Sequence, residues 1–154
     1  FTGLAHRLDY LAELGVTLKT LGPCNHPILR TKQAGDLLFV SGHGTNVLGK
    51  VGAGLSVADG YQAAREACIN CLSAIRDAVG TLDHVEGFLK VFGMVNSAPD
   101  FTEQPAVING VSDVLIAAFG PDIGGHARSA VGMCALPRGI AVEVEMIVRV
   151  KTGI

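Results

Sequence analysis

The stretch Arg128-Ser129-Ala130-Val131-Gly132-Met133-Cys134-Ala135-Leu136-Pro137-Arg138-Gly139-Ile140-Ala141-Val142-Glu143-Val144-Glu145-Met146-Ile147-Val148-Arg149-Val150 carries two strand patterns around a turn. In the second, Ile140–Val150, the residues Val142, Val144, Met146, Val148 and Val150 share one side. Ala141, Glu143, Glu145, Ile147 and Arg149 share the other. Successive strand side chains point to opposite faces, so this period of two reads as a strand with one apolar and one mixed face. The apolar row suits a helix-covered core, and the mixed row suits an oligomer interface holding a polar site. The first strand, Arg128–Leu136, carries no charge after Arg128, and Leu136-Pro137-Arg138-Gly139 turns between the two.

Upstream, the chain supplies what must cover that apolar row. Val57–Val79 places Tyr61, Ala64, Ala67, Cys68, Cys71, Leu72 and Ile75 along one side of a helix. Ser56 and Asp59 stand where a cap and a first-turn acid belong, and Gly80 stands at the C-terminal end. A second helix is predicted from Glu103 to Phe119, with Pro105 in its first turn and Gly120 closing it. Strands are predicted over Val16–Thr20, Ile28–Gln33, Leu37–Gly42 and Val85–Val95, with Ala34-Gly35-Asp36 turning a hairpin. His6–Leu14 reads as a short amphipathic helix, making residues 1–15 a helical extension. The segment Gly22–Pro27 reads as loop, Asn96–Asp100 as loop, and Thr45–Gly54 as a long flexible connection. Strands that do not alternate evenly with helices point to an α+β fold: one mixed sheet with both long helices on one face.

The 154 residues suit a single domain spanning 1–154. Hydrophobic residues make up 49% and charged residues 17%, which excludes disorder. A mean hydropathy of +0.41 in so small a domain implies surplus apolar surface, and hence an oligomer. Apolar stretches such as Val107–Phe119 are too short to cross a bilayer, and neither a membrane span nor a secretory leader is expected. The net charge of −2 and the 12 scattered Lys and Arg lack the footprint of a nucleic-acid binder. Reduced, buried thiols in a cytoplasmic protein are the simpler reading of Cys24, Cys68, Cys71 and Cys134. Cys68 and Cys71 share a helix face, with no second ligand pair to complete a zinc site, so core packing is expected and no metal.

The chemistry centres on Arg128. A guanidinium beside an apolar strand needs an anionic partner, because it cannot shed its charge. An internal salt bridge to Glu143 or Glu145 and a clamp on a ligand carboxylate both meet that need. Glu143 and Glu145 share a strand face, where proximity raises one pKa and readies a general base, although spacing alone fits a solvated face better. Ser41-Gly42-His43 ends a strand but lacks the surroundings of a hydrolase triad. Asn109 sits among apolar helix neighbours, and the glycines Gly49–Gly54 spell no nucleotide-binding loop.

Arg128-Ser129-Ala130-Val131, Leu136-Pro137 and Val142-Glu143-Val144-Glu145 together resemble the signature of the RidA family of reactive intermediate deaminases, also called YjgF or L-PSP endoribonuclease-like. Leu38-Phe39-Val40-Ser41-Gly42, Gln62 and Val107-Ile108-Asn109 extend the resemblance, with His43 where the family usually has Gln. It covers about residues 20–150, and the Gly44–Gly54 loop marks a divergent branch. The resemblance implies a homotrimer of chorismate-mutase-like fold with sites in the clefts between subunits. It also implies cofactor-free hydrolysis of enamines and imines, such as 2-aminoacrylate and its tautomer, to 2-keto acids and ammonia. On that implication Arg128 clamps the substrate carboxylate beside the Ala130 backbone, Glu143 activates water, and Ser41 and Asn109 line the pocket. The family's Tyr after Gly-Pro is absent. Cys24 or His26 stands in its place, and His26 can serve as a substitute donor. A non-catalytic trimer that binds 2-keto acids is the alternative, and an endoribonuclease fits the acidic pI of 6.2 poorly.

Overall fold

The computed structural model describes residues 11–12, 17–19, 26 and 28–153. One five-stranded sheet runs in the order β1 (Thr31–Ala34), β2 (Leu37–Gly44), β7 (Val142–Val150), β5 (Val85–Asn96) and β6 (Ala127–Met133). All neighbours are antiparallel except β5 and β6, which are parallel. The short strands β3 (Lys50–Val51) and β4 (Gly54–Leu55) form a separate ladder. Helix α1 (Val57–Val79) packs on β2 and β7, and α2 (Gln104–Gly124) packs on β5 and β6. Both helices lie on one face, so the architecture is the expected α+β layer pair.

The core lies between the layers. Along β7, Val142, Val144, Met146, Val148 and Val150 are buried, while Glu143, Glu145, Ile147 and Arg149 face the other way. Cys68, Cys71, Leu72 and Ile75 of α1 meet Val107, Ile108, Val111 and Leu115 of α2 in the same cluster. The helices approach closely because Gly110 has no side chain; a Cβ there would run into the carbonyl oxygen of Tyr61. Cys71 Sγ donates to the Val144 carbonyl oxygen at 3.4 Å, and burial raises its pKa. Both CxxC thiols thus serve as small core groups, whereas Cys134, expected to be buried, is exposed just beyond the β6 strand end.

Capping sets the helix boundaries. Ser56 Oγ accepts from the Asp59 N–H at 3.1 Å, and Asp59 Oδ2 accepts from the Ser56 N–H at 2.8 Å. This capping box starts α1, and Gly80 ends it with a φ of 82°. The second helix begins at Gln104, and its regular turns close at Gly120 as predicted, although a further turn follows. Gly120, with φ 76° and ψ 168°, breaks the regular helix, and Pro121 begins a further turn to Gly124. By length and composition α2 could cross a membrane; here Val107, Ile108, Val111, Val114 and Leu115 are buried in the core.

Three other expectations are corrected. The first hairpin strand is Thr31–Ala34, not Ile28–Gln33, and Ile28 is 66% exposed. The ladder ends because β2 bulges after Val40: Ser41 and Gly42 together oppose Glu145, between the pairs Val40–Met146 and His43–Val144. The strands flanking Leu136-Pro137-Arg138-Gly139 do not lie side by side. The chain crosses the end of β5 between β6 and β7, where the Asn96 N–H donates to the Ala141 carbonyl oxygen at 2.9 Å. The glycine-rich segment is pinned rather than loose. Glu66 accepts from Thr45 Oγ1 at 2.5 Å, the Asn46 N–H at 3.1 Å and Lys19 Nζ at 3.0 Å. Leu11 and Ala12 are helical and residues 17–19 are not strand; the rest of the His6–Leu14 and Val16–Thr20 readings lies outside the described residues.

Candidate active site

Arg128, the second residue of β6, lies opposite Val91 of β5, and Val91 in turn opposes Met146 of β7. Val91 and Met146 are buried under the helices, so Arg128 points to the helix side, at the sheet edge. Its Nη1 donates to Asn109 Oδ1 at 2.8 Å and to Ser112 Oγ at 3.0 Å. Those two acceptors lie three residues apart on α2, hence on one face. Among the described residues Arg128 forms no ion pair. Ala130, two positions along the same row, is half-buried against the core. As an edge strand, β6 leaves one row of backbone donors and acceptors unused by β5.

Behind Ser112 stands His126, a residue the sequence reading passed over. Its Nδ1 lies 2.6 Å from the Gly124 carbonyl oxygen and its Nε2 lies 3.0 Å from Ser112 Oγ. A carbonyl only accepts, so Nδ1 carries the proton; in the neutral ring Nε2 then accepts from the Ser112 hydroxyl. His126 stands just before Ala127-Arg128 in the sequence and Ser112 lies on the preceding helix, but neither belongs to a recognisable motif.

Glu143 sits elsewhere. It pairs in register with Met94, which pairs with Val131, on the face away from the helices. Arg128 and Glu143 therefore occupy opposite faces of one sheet, and the internal salt bridge to Glu143 or Glu145 is not formed. Glu143 is half-buried against the β2 bulge, where a Cβ on Gly42 would overlap its Oε1. Burial pushes its pKa up, Glu145 adds to the rise, and Arg138 opposes both. Arg138 is held in the left-handed region at φ 57°, in the turn that leads into β7.

Ser41 Oγ donates to the Leu29 carbonyl oxygen at 2.7 Å, so its hydroxyl proton is already engaged. His43 Nδ1 lies 2.6 Å from the Ser41 carbonyl oxygen and so carries the ring proton. Burial lowers the His43 pKa, the Ser41 carbonyl resists, and Arg30 pushes it down further. His26 is exposed, and Cys24 lies outside the described residues. Arg128, Asn109 and Ala130 thus form one group, and Ser41, Gly42 and Glu143 form another.

The family described as "YjgF/chorismate_mutase-like, putative endoribonuclease" matches residues 11–147. The chain belongs to this family. Protein TCP17 of Trypanosoma cruzi is 42% identical over 124 residues, covering 77% of this chain and 78% of TCP17. The Agrobacterium tumefaciens protein Atu1372, of unknown function, superimposes with a TM-score of 0.87 at 35% identity, over 94% of this chain and 91% of that one. E. coli TdcF, solved with bound serine, superimposes with a TM-score of 0.59 at 22% identity, over 83% of this chain and 91% of its own. Two helices on one face of a mixed sheet are the chorismate-mutase-like fold of the YjgF family.

Proposed function

We propose that this YjgF-family protein is an enamine and imine deaminase that converts 2-aminoacrylate-type intermediates to 2-keto acids and ammonia. One observation carries the reading. The Arg128 guanidinium is held through Nη1 by two neutral acceptors and forms no ion pair among the described residues, which leaves its charge for an incoming carboxylate. A planar guanidinium binds a carboxylate through two parallel hydrogen bonds and so fixes the adjacent C=N carbon. The serine in TdcF is a small carboxylate-bearing molecule of the same chemical class.

Glu143 supplies the other half. Its raised pKa makes it a better base than an exposed glutamate. It takes a proton from water as the oxygen attacks the imine carbon and passes it to the nitrogen; the tetrahedral adduct then gives up its hydroxyl proton as the C–N bond breaks, and both water protons leave with ammonia. The balance is imine plus water to keto acid plus ammonia, with no redox step. Because Arg128 and Glu143 face opposite ways in one chain, the site requires two chains, with Arg128 from one and Glu143 from its neighbour. A homotrimer with three such clefts meets that requirement and covers the outer sheet face, where Phe39 is 44% exposed.

The loop Gly22-Pro23-Cys24-Asn25-His26, which lacks the family's Tyr, favours a second reading: a trimer that binds 2-keto acids without turning them over. A coupled assay separates the two. An amino-acid oxidase generates imines in the presence of semicarbazide, and the protein is added. Less semicarbazone, with the effect lost in Arg128→Ala, supports hydrolysis. Unchanged semicarbazone alongside measurable 2-oxobutanoate binding shifts the assignment to the binding trimer.

A further inference from the structure

We propose that Ser112 and His126 are positioning residues that lock the Arg128 guanidinium in the one orientation that offers its Nε–Nη2 edge to a carboxylate. The inference builds on the carboxylate-clamp role given to Arg128 above. Four hydrogen-bonded groups stand in line: the Gly124 carbonyl accepts from His126 Nδ1 at 2.6 Å, and His126 Nε2 accepts from the Ser112 hydroxyl at 3.0 Å. Ser112 Oγ then accepts from Arg128 Nη1 at 3.0 Å. In the neutral His126 ring the line has one direction, because its first acceptor is a carbonyl. With its only proton given to His126, Ser112 can meet the guanidinium solely as an acceptor.

Asn109 Oδ1 takes the second Nη1 proton at 2.8 Å, so both hydrogens of that nitrogen are used. The side-on fork formed by Nε and Nη2 is then the edge left for a planar anion. A serine hydroxyl without His126 could turn its proton toward the guanidinium, and the contact would become repulsive. His126 thus acts on Arg128 through Ser112 and touches no ligand. Holding a long cationic side chain before the ligand arrives removes an ordering cost from binding.

The test reads Arg128 directly, in ligand-free protein, as the rotation rate of its guanidinium by ¹⁵N NMR of the full chain. Ser112→Ala should free the rotation, and Ser112→Thr, which keeps the hydroxyl, should restore it. His126→Ala should also speed rotation, and should add nothing in the Ser112→Ala background. Rotation unchanged in Ser112→Ala, or independent additive effects of the two substitutions, overturns the proposal. A 2-oxobutanoate titration then reads the consequence: Kd should rise about tenfold in Ser112→Ala, one hydrogen bond to a charged group, and recover in Ser112→Thr. If the wild type holds the guanidinium but binds no 2-oxobutanoate, the positioning stands and the carboxylate-clamp reading falls. If Ser112→Ala frees the guanidinium but leaves Kd unchanged, the lock has no bearing on ligand binding and the proposal fails.

Discussion

The surroundings of Arg128 and of Glu143 handle charge in opposite ways. Around Arg128, among the described residues, the chain places the neutral acceptors Asn109 Oδ1 and Ser112 Oγ, which orient the cation without neutralising it. Around Glu143 it places partial burial and a second carboxylate, which push the acid toward its neutral form. A guanidinium cannot respond to its surroundings by losing a proton, so it can only be aimed. A carboxylate can, so its basicity can be tuned. The difference teaches that a fixed charge is handled by orientation and a titratable one by its surroundings.

The largest test removes the aimed charge. Arg128→Ala should bring imine turnover to the uncatalysed baseline and weaken 2-oxobutanoate binding by about 100-fold, the scale of a charged, bidentate contact. Arg128→Lys should recover little of this in the same titration, because an ammonium lacks the planar fork. Removing the tuned base should separate the regions: Glu143→Gln should lower kcat by about 100-fold while the 2-oxobutanoate Kd moves by less than about threefold. Equal losses in both measurements would show that Glu143 binds the ligand rather than handling water.

The next test disturbs the scaffold of one region only. Gly110→Val forces α1 and α2 apart at the Tyr61 carbonyl, and should cost about 1–3 kcal/mol, read as a lower denaturant midpoint. Because Asn109 and Ser112 ride on α2, surviving folded protein should lose carboxylate affinity while the Glu143 titration stays where it was.

The smallest effect lies in the pH dependence of stability. The folded-state pKa of Glu143 is raised above its ordinary 4.5, so the folded protein holds that proton more tightly than the unfolded chain. The resulting stabilisation is complete below 4.5 and is lost as pH rises through the folded value. Glu143→Gln should therefore be more stable than wild type at neutral pH, and the gap should close on acidification. A gap that widens on acidification would mean that Arg138 outweighs burial and Glu145.

Much of the fold was legible because its signals are local. The alternation of Val142, Val144, Met146, Val148 and Val150 against Glu143, Glu145 and Arg149 told the buried face from the open one. Ser56, Asp59 and Gly80 marked the ends of α1 by chemistry that acts within a turn or two. Gly120 marked the end of the regular turns of α2 because a glycine suits a helix end, whereas the further turn from Pro121 to Gly124 depends on packing beneath Leu115. Arg128 and Glu143 stood out in the sequence by charge and motif, but that they face opposite ways did not, and neither did the contacts of Ser112 and His126.

By itself the sequence determined the period of each strand, the caps of α1, and which side chains carry charge, since each follows from bonding and solvation within a few residues. Only the tertiary structure decided that β5 lies between β6 and β7, that β2 bulges at Ser41–Gly42, and that Arg128 and Glu143 face opposite ways. Strand order and register are set by the packing of distant segments on one another, and a side chain's partner is whatever that packing brings to it.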